Sequence, residues 1–428
     1  MPTPSLILVP ARFKTGKLYT PLATTSGGTV LGASGDFNVT RATTATRVNA
    51  SGLIEVVASG IPRLDYPLGG GCPALLVEPA GTNFARNVQF MTQVDTPAAS
   101  GGLTITTGST DFAAPDGTIG TITKYVGGSA SGISQFAYDG IGYTVASSGQ
   151  HTFSLFVKAG SSNPANFIRL RFAGWTSGTG TTDTYFSLAS GTVLTTGASI
   201  RNYGNGWYQL ISAPYTIASG DLQGLVTVSL AEDVGDVTWP ASGALNLTAY
   251  TWGAQLETGS IATSYIPTTT ASATRNADVI NLSGAVSGCI GQTEGTIYVE
   301  FNMQTLGVEG YAIRLVAASF DNSVHIRRST ANLVTLELRS GGSNVFSQTF
   351  SATGFVKAAI AYKSGDIAAF VNGTQAGSTS TSAFTFGASF TSVNLGTFGA
   401  AAFLNDRIRA AALYTTRLTD AQLQALTT

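Results

Sequence analysis

The sequence predicts an all-β protein: two β-sandwich (jelly-roll) domains in tandem after an extended N-terminal segment, closed by one short C-terminal helix. Three observations lead there. Apolar residues alternate with polar ones over short runs, the period-two signature of half-buried strands. Clusters of Gly, Ser, Asn and Pro separate those runs, and 51 residues are Gly. No long stretch carries the periodicity of an amphipathic helix, so many short strands with turns indicate a sandwich or jelly roll.

At 428 residues the chain is long enough for two or three domains, each with its own core. Only 11% of residues are charged, against roughly 25% in ordinary soluble proteins. The surface must therefore be covered by hydroxyls and backbone, which suits extended sheets exposed outside a cell. A formal net charge of -1 argues against nucleic acid, because displacing counterions needs clustered cations. The opening MPTPSLILVPARFK has a short apolar core, Leu6 to Val9, with its positive charges after it, the reverse of a secretory signal. No run reaches the 18 or so apolar residues of a membrane span. Cys72 and Cys289 fall in different expected modules, so no disulfide framework is implied. An extracellular composition without an export device fits a particle assembled in a cytoplasm and released by lysis, or a non-classical export route.

Taken in order, residues 1–86 offer short strands at Leu18 to Leu22, Asp36 to Arg41, Ser51 to Glu55 and Ala74 to Val77. So few apolar residues would bury little surface alone, and packing on other subunits or on a larger assembly is expected to stabilise this part. From 87 to 268 the alternation is regular. Phe153, Leu155 and Val157 share one strand face, as do Ile168, Leu170 and Phe172, and Val226, Val228 and Leu230. Residues 269–280, rich in Thr, Ser and Ala after Pro267, read as a linker. From 281 to 428 a second β-series follows, including Ile297, Val299 and Phe301, with turns at Gly341-Gly342 and Asn372-Gly373. Asp420 to Leu426 is the one credible helix. Thr419 is its N-cap, Gln422 completes a capping box, and Leu418 and Leu423 stand where a hydrophobic staple would sit.

These residues carry a family likeness. Tyr250-Thr251-Trp252-Gly253-Ala254-Gln255-Leu256-Glu257, followed by Ala262 to Thr268 and Thr274-Arg275, resembles the end of a carbohydrate-binding-module-like jelly roll found in bacteriophage tail and fibre proteins. Gly206-Trp207-Tyr208 resembles that module's internal strand motif. Residues 40–48, Pro62-Arg63-Leu64-Asp65-Tyr66 and Leu75-Leu76-Val77-Glu78-Pro79 resemble segments that precede it in phage fibre and head-spike proteins. Ala361-Tyr362, Phe370-Val371-Asn372-Gly373 and Leu413-Tyr414 with Arg417 to Leu423 resemble concanavalin A-like (laminin G-like) lectin domains. The resemblance implies a virion-attachment segment at 1–86, a jelly roll at 87–268, a linker at 269–280 and a lectin domain at 281–428. It also implies a homotrimer and attachment to host-surface glycans.

Enzymatic motifs are scarce: the sequence holds no G-x-G-x-x-G, P-loop or G-x-S-x-G elbow. Its two histidines, His151 and His325, have no second ligand at metal spacing and read as structural. Glu232, Asp233 and Asp236 form the one dense acidic knot. It reads first as a solvated turn, with Asp233 and Asp236 the candidates for a hard cation such as calcium. No cofactor is implied. Sugar binding pairs aromatic faces with a few polar groups. Trp207 and Trp252 lie in strand patterns and are expected in the core. Trp175 and Trp239, in loops, are the surface candidates, with Tyr203 nearby and Asn205 to meet hydroxyls. The expected protein is therefore non-enzymatic: a structural and adhesive component of a phage virion, a tail fibre or head spike at the virion surface, joined to other virion proteins through its N-terminal segment. A capsid decoration protein and a polysaccharide depolymerase spike are the alternatives.

Overall fold

The computed structural model describes residues 2–86, 91–93, 103–127, 132–133, 135–138, 143–175, 177–231, 233–239, 246–305, 307–317, 319–399 and 401–428. As expected, it is nearly all β with one short C-terminal helix, Asp420–Thr427. The chain forms two compact units, one of them discontinuous. The first comprises Met1–Ala50, Val56–Ala80 and Asn276–Thr428; the second comprises Ser51–Glu55 and Gly81–Arg275.

The first unit is a sandwich of two antiparallel sheets. One runs from Thr374–Gln375 through Asp366–Val371, Phe355–Lys363, Glu294–Asn302 and Asp406–Tyr414 to Leu6–Leu8 and Leu22–Ala23. The other runs from Phe13–Lys14 through Lys17–Leu18, Phe37–Thr40, Val279–Ser283, Ser392–Leu395 and Gly310–Val316. It ends with Ser323–Arg328, Leu333–Ser340 and Ser343–Ser351. Alternation decides which residues enter: Ile297, Val299 and Phe301 from one sheet meet Ile313, Leu315, Val324 and Ile326 from the other in one core. The two turn expectations hold. Gly341 and Gly342 link two strands with φ of 58° and 81°, and Asn372 and Gly373 link two more at 48° and 76°, the left-handed pair that a tight hairpin requires. The helix has its complete capping box, with Leu418 and Leu423 buried together in a satellite cluster.

The N-terminal residues correct the expected boundaries. Leu6–Leu8 lies between Asp406–Tyr414 and Leu22–Ala23, and Phe37–Thr40 pairs with Val279–Ser283. Ala74–Val77 pairs with Asp406–Ile408. Leu6, Leu8, Leu18, Phe37 and Leu75 sit in the same core as the C-terminal strands. The thin apolar content of residues 1–86 thus reflects strands added to a neighbouring core, which a local reading cannot see. Residues 269–280 are likewise not a plain spacer. Ala273–Arg275 pairs with Gly81–Asn83 in the second unit, while Asp278 is buried in the first and leads directly into Val279–Ser283.

The second unit also stacks two antiparallel sheets. Leu247–Thr258 and Gly149–Ala159 form the centre of one, flanked by Ile122–Gly127 and Trp207–Ile211. Phe167–Ala173 and Gln223–Ala231 form the centre of the other. Phe153, Leu155 and Val157, Ile168, Leu170 and Phe172, and Val226, Val228 and Leu230 share its core, as their alternation predicts.

Candidate functional site

On the outer face of the second unit's first sheet, cross-strand pairing lines up Lys124, Tyr250, Lys158 and Trp207. Lys124 stands opposite Tyr250, Tyr250 opposite Lys158, and Lys158 opposite Trp207. The connection between Thr104–Ser109 and Ile122–Gly127 folds back over this row. Its tip is shaped by Asp116, whose side chain accepts the Thr118 N–H at 3.0 Å, and by Gly117 at φ 84°. The Trp207 indole N–H donates to the Ala113 carbonyl at 2.9 Å, pinning the returning chain.

This arrangement puts Asp111 and Phe112 beside Tyr250. The Tyr250 hydroxyl donates to the Asp111 carboxylate at 2.6 Å, and Lys124 donates to the same oxygen at 2.8 Å. Phe112 meets the Tyr250 ring edge-on at 4.9 Å, and the Lys158 ammonium lies 4.4 Å from the Phe112 ring centre. The hydrogen bonds from Lys124 and Tyr250 hold the Asp111 carboxyl below its usual range, while burial and the Asp111 contact push the Tyr250 hydroxyl up. The hydrogen bond to Asp111 raises the Lys124 ammonium. Asp111, Phe112, Lys124 and Tyr250 line, with Ser161, Ser162 and Thr248, a cleft of about 340 Å³. It offers an aromatic wall, one fixed carboxylate, an ammonium and several hydroxyls, the mix that binds a polyhydroxylated ligand.

The residues expected at a glycan site are distributed unevenly. Trp175 is corrected: it is only 8% exposed and packs 5.6 Å from Phe172 and 6.3 Å from Tyr215 in the core. Gly224 explains why, because its missing side chain leaves the space that the indole fills. The backbone of Trp239 pairs with Gly132, and its side chain lies outside the described residues. Tyr203 is half-buried, edge-on to Phe156 at 4.8 Å, and Asn205 is exposed at φ 51°. The Asn205 carbonyl accepts from Lys158, whose ammonium lies over the Phe112 ring. Trp207 and Trp252 are buried, as their strand patterns predict. Asp111, Phe112 and Lys124 escaped the sequence reading. The alternation around Lys124 marks a strand, but only register brings it to Tyr250.

Both histidines are fully buried. His151 contacts the Gly149 carbonyl at 3.0 Å and the Thr258 hydroxyl at 3.2 Å. His325 lies 2.8 Å from the Glu337 carboxylate. Asp233 and Asp236 are exposed on one turn, where the Asp233 carboxylate accepts the Val234 N–H at 2.7 Å, the solvated turn that the sequence suggests. Glu232 lies outside the described residues. Among the described residues no three His, Cys, Asp or Glu side chains gather as a metal site. No helix among them is long and apolar enough to cross a membrane.

Sequence alone has missed a second polar feature. Arg41, Arg63, Glu78 and Asp278, drawn from four separate segments, form a buried ion cluster in the first unit. Arg41 donates to Asp278 at 2.9 Å, and Arg63 donates to Glu78 at 2.6 Å and to the other oxygen of Asp278. Three of these four residues, Arg41, Arg63 and Glu78, come from the N-terminal segments, and what they build is internal.

No family model matches the chain, and no curated protein matches its sequence. Among solved structures it is similar to the CBM40 domain of the Ruminococcus gnavus IT-sialidase bound to alpha2,6 sialyllactose. That match has 19% identity, covers 32% of this chain and 85% of that one, and has a TM-score of 0.29. It is similar to the leech intramolecular trans-sialidase at 18% identity, covering 32% of this chain but only 23% of that enzyme, with a TM-score of 0.28. It is also similar to domain 4 of AbnA, an extracellular arabinanase of Geobacillus stearothermophilus, at 14% identity. There 36% of this chain and 73% of that one are covered, with a TM-score of 0.29.

Proposed function

We propose that this chain is a non-catalytic, glycan-binding protein of a phage particle, a tail fibre or head spike that assembles as a homotrimer. The observation that carries the binding reading is the cleft at Asp111, Phe112, Lys124 and Tyr250. An aromatic wall there stands beside a carboxylate whose orientation is fixed by two donors. Such a carboxylate accepts from vicinal hydroxyls, the neighbouring ammonium donates to them, and the Phe112 face takes the C–H side of a sugar ring. The virion role rests on the phrase Tyr250 to Thr268 and its likeness to phage fibre modules, and on a composition suited to exposure outside a cell.

The test uses the whole chain. Neutral oligosaccharides released from host-surface polysaccharide are titrated while tryptophan emission is followed, because Trp207 and Trp252 pack in one cluster with Tyr250 and Phe112 of the cleft. Saturable binding is expected, weakened about tenfold or more by Phe112→Ala and by Asp111→Asn, with unchanged circular dichroism. Binding that neither substitution affects excludes this cleft. Release of reducing ends from the same polysaccharide would overturn the non-catalytic reading. A monomer by light scattering at micromolar concentration would overturn the trimer, and antibody labelling of intact particles by electron microscopy separates tail from head.

A further inference from the structure

In the first unit, the outer face of the sheet that runs from Phe13–Lys14 to Ser343–Ser351 carries a polar row that neither the turns nor the core require. Side chains directly opposite one another on neighbouring strands of an antiparallel sheet share a face. From one edge, Lys17 stands opposite Asn38, and Asn38 opposite Asn281. From the other edge, Ser347 stands opposite Glu337, and Glu337 opposite His325. The two halves meet at Asn394 and Arg314, which face each other, with Arg314 also opposite His325.

Each half is a closed chain of hydrogen bonds. Lys17 donates to Asn38 at 2.8 Å, and Asn38 donates to Asn281 at 3.4 Å. Glu337 accepts from His325 at 2.8 Å, from Arg327 at 2.9 Å and from Ser347 at 3.1 Å. Between them, Arg314 is different. It is only 6% exposed, its Nε has no acceptor, and no carboxylate lies within ion-pair distance among the described residues. Its guanidinium is held by Phe398, at 4.3 Å from the ring centre, and by Phe320, at 4.8 Å. The neighbouring carboxylate, Glu337, is already engaged by His325, Arg327 and Ser347. A cation this buried is expected to be paired, and ring faces supply only part of what lost hydration removes.

We propose that Arg314, Asn394 and the Phe320–Phe398 pair form a binding site for the carboxylate of an acidic saccharide. One guanidinium with its planar fork matches one carboxylate, and Arg339, which also stacks on Phe320 at 4.6 Å, spends its donors on the Asn344 side chain and the Gly342 carbonyl. Arg327 is committed to Glu337 and Glu309. The Asn394 amide, half-exposed on the same face, is the adjacent neutral donor, and the ligand enters over Asn281 and Asn394. The two half-buried phenylalanines and the amides of the row suit a sugar ring better than a bare carboxylate. This site belongs to a different unit from the cleft above and stands independently of it.

The experiment is a ligand-observed NMR titration of the full chain with three probes: methyl β-D-glucuronide, methyl β-D-glucoside and acetate. The glucuronide should bind at least about tenfold more tightly than either of the others. Arg314→Gln should abolish the difference. Should that variant not fold, Asn394→Asp serves in its place. It puts a carboxylate opposite the guanidinium, so it should raise the melting temperature and remove glucuronide binding together. Equal affinity for glucuronide and glucoside overturns the proposal. So does acetate binding as tightly as the glucuronide, or glucuronide binding that persists in Asn394→Asp. The readouts keep the two sites apart: all four tryptophans fall in the sequence of the second unit, so emission changes report the cleft and not Arg314.

Discussion

At the scale of single residues, buried charge governs what the first unit tolerates. Asp278 receives Arg41 on one oxygen, and Arg63 and the Glu78 N–H on the other. Burial disfavours the Arg63 cation, yet Asp278 and Glu78 more than reverse that and raise its pKa. Asp278→Asn would remove the carboxylate that the Arg41 and Arg63 guanidiniums share. It should cost about 3–5 kcal/mol, measured as a loss in guanidinium-induced unfolding. The His325–Glu337 pair predicts a pH dependence. Burial alone would raise the Glu337 carboxyl, but hydrogen bonds from His325 and Arg327 hold it down at about 2. Burial lowers the His325 pKa, opposed by Glu337 and reinforced by the cations Arg327 and Arg314. Tyr311 packs 5.1 Å from the same imidazole, and burial foremost raises its hydroxyl, so it stays neutral throughout. With Glu337 ionised, Nε2 carries the proton it donates and Nδ1 accepts from Ser323 at 3.3 Å. Both folded values lie below the unfolded ones, so the unfolded chain binds more protons and stability falls with acid. For His325 the loss begins as pH drops through 6.5, and for Glu337 between about 4.5 and about 2. His325→Gln should flatten the melting-temperature profile between pH 7 and 5, as calorimetry would show, and an unchanged slope would refute the assignment.

At the scale of elements, the local rules hold where the sequence is self-sufficient. The capping box of the last helix and the Asn372-Gly373 hairpin need only neighbours a few residues away. Trp175 is the opposite case. Gly and Thr around it suggest an exposed loop, but the indole turns inward because Gly224, on a distant strand, makes room. Gly224→Ala should therefore clash with the indole and destabilise the second unit by about 1–3 kcal/mol. The expected signature is a red shift of tryptophan emission together with a lower unfolding midpoint. A neutral substitution would mean that the ring does not sit against that strand. The cleft follows the same logic, because a Lys, a Tyr and an Asp far apart in the chain become one site through strand register and one returning loop.

At the scale of the whole molecule, the discontinuous first unit sets which fragments can fold. Leu6–Leu8 fills a place beside Asp406–Tyr414, and Phe37–Thr40 covers the edge of Val279–Ser283. Residues 276–428 expressed alone should therefore lack strands in both sheets, expose core apolar surface and give no cooperative melt. Residues 81–275 contain the cores of the second unit nearly complete and should melt cooperatively. Circular dichroism of the two fragments decides the matter, and a cooperative transition in 276–428 would return the boundary to the one the sequence suggests.

The sequence by itself determined the class of fold, because strand alternation, turn residues and helix caps are written within a few residues of where they act. It determined most of the inward faces for the same reason. Tertiary structure alone decided that the N-terminal strands complete the C-terminal sandwich. It also decided that Arg41, Arg63 and Asp278 meet, that Trp175 is core, and that Asp111, Lys124 and Tyr250 converge. Each of these depends on pairing between segments remote in sequence. Register, rather than local pattern, selects which side chains share a face.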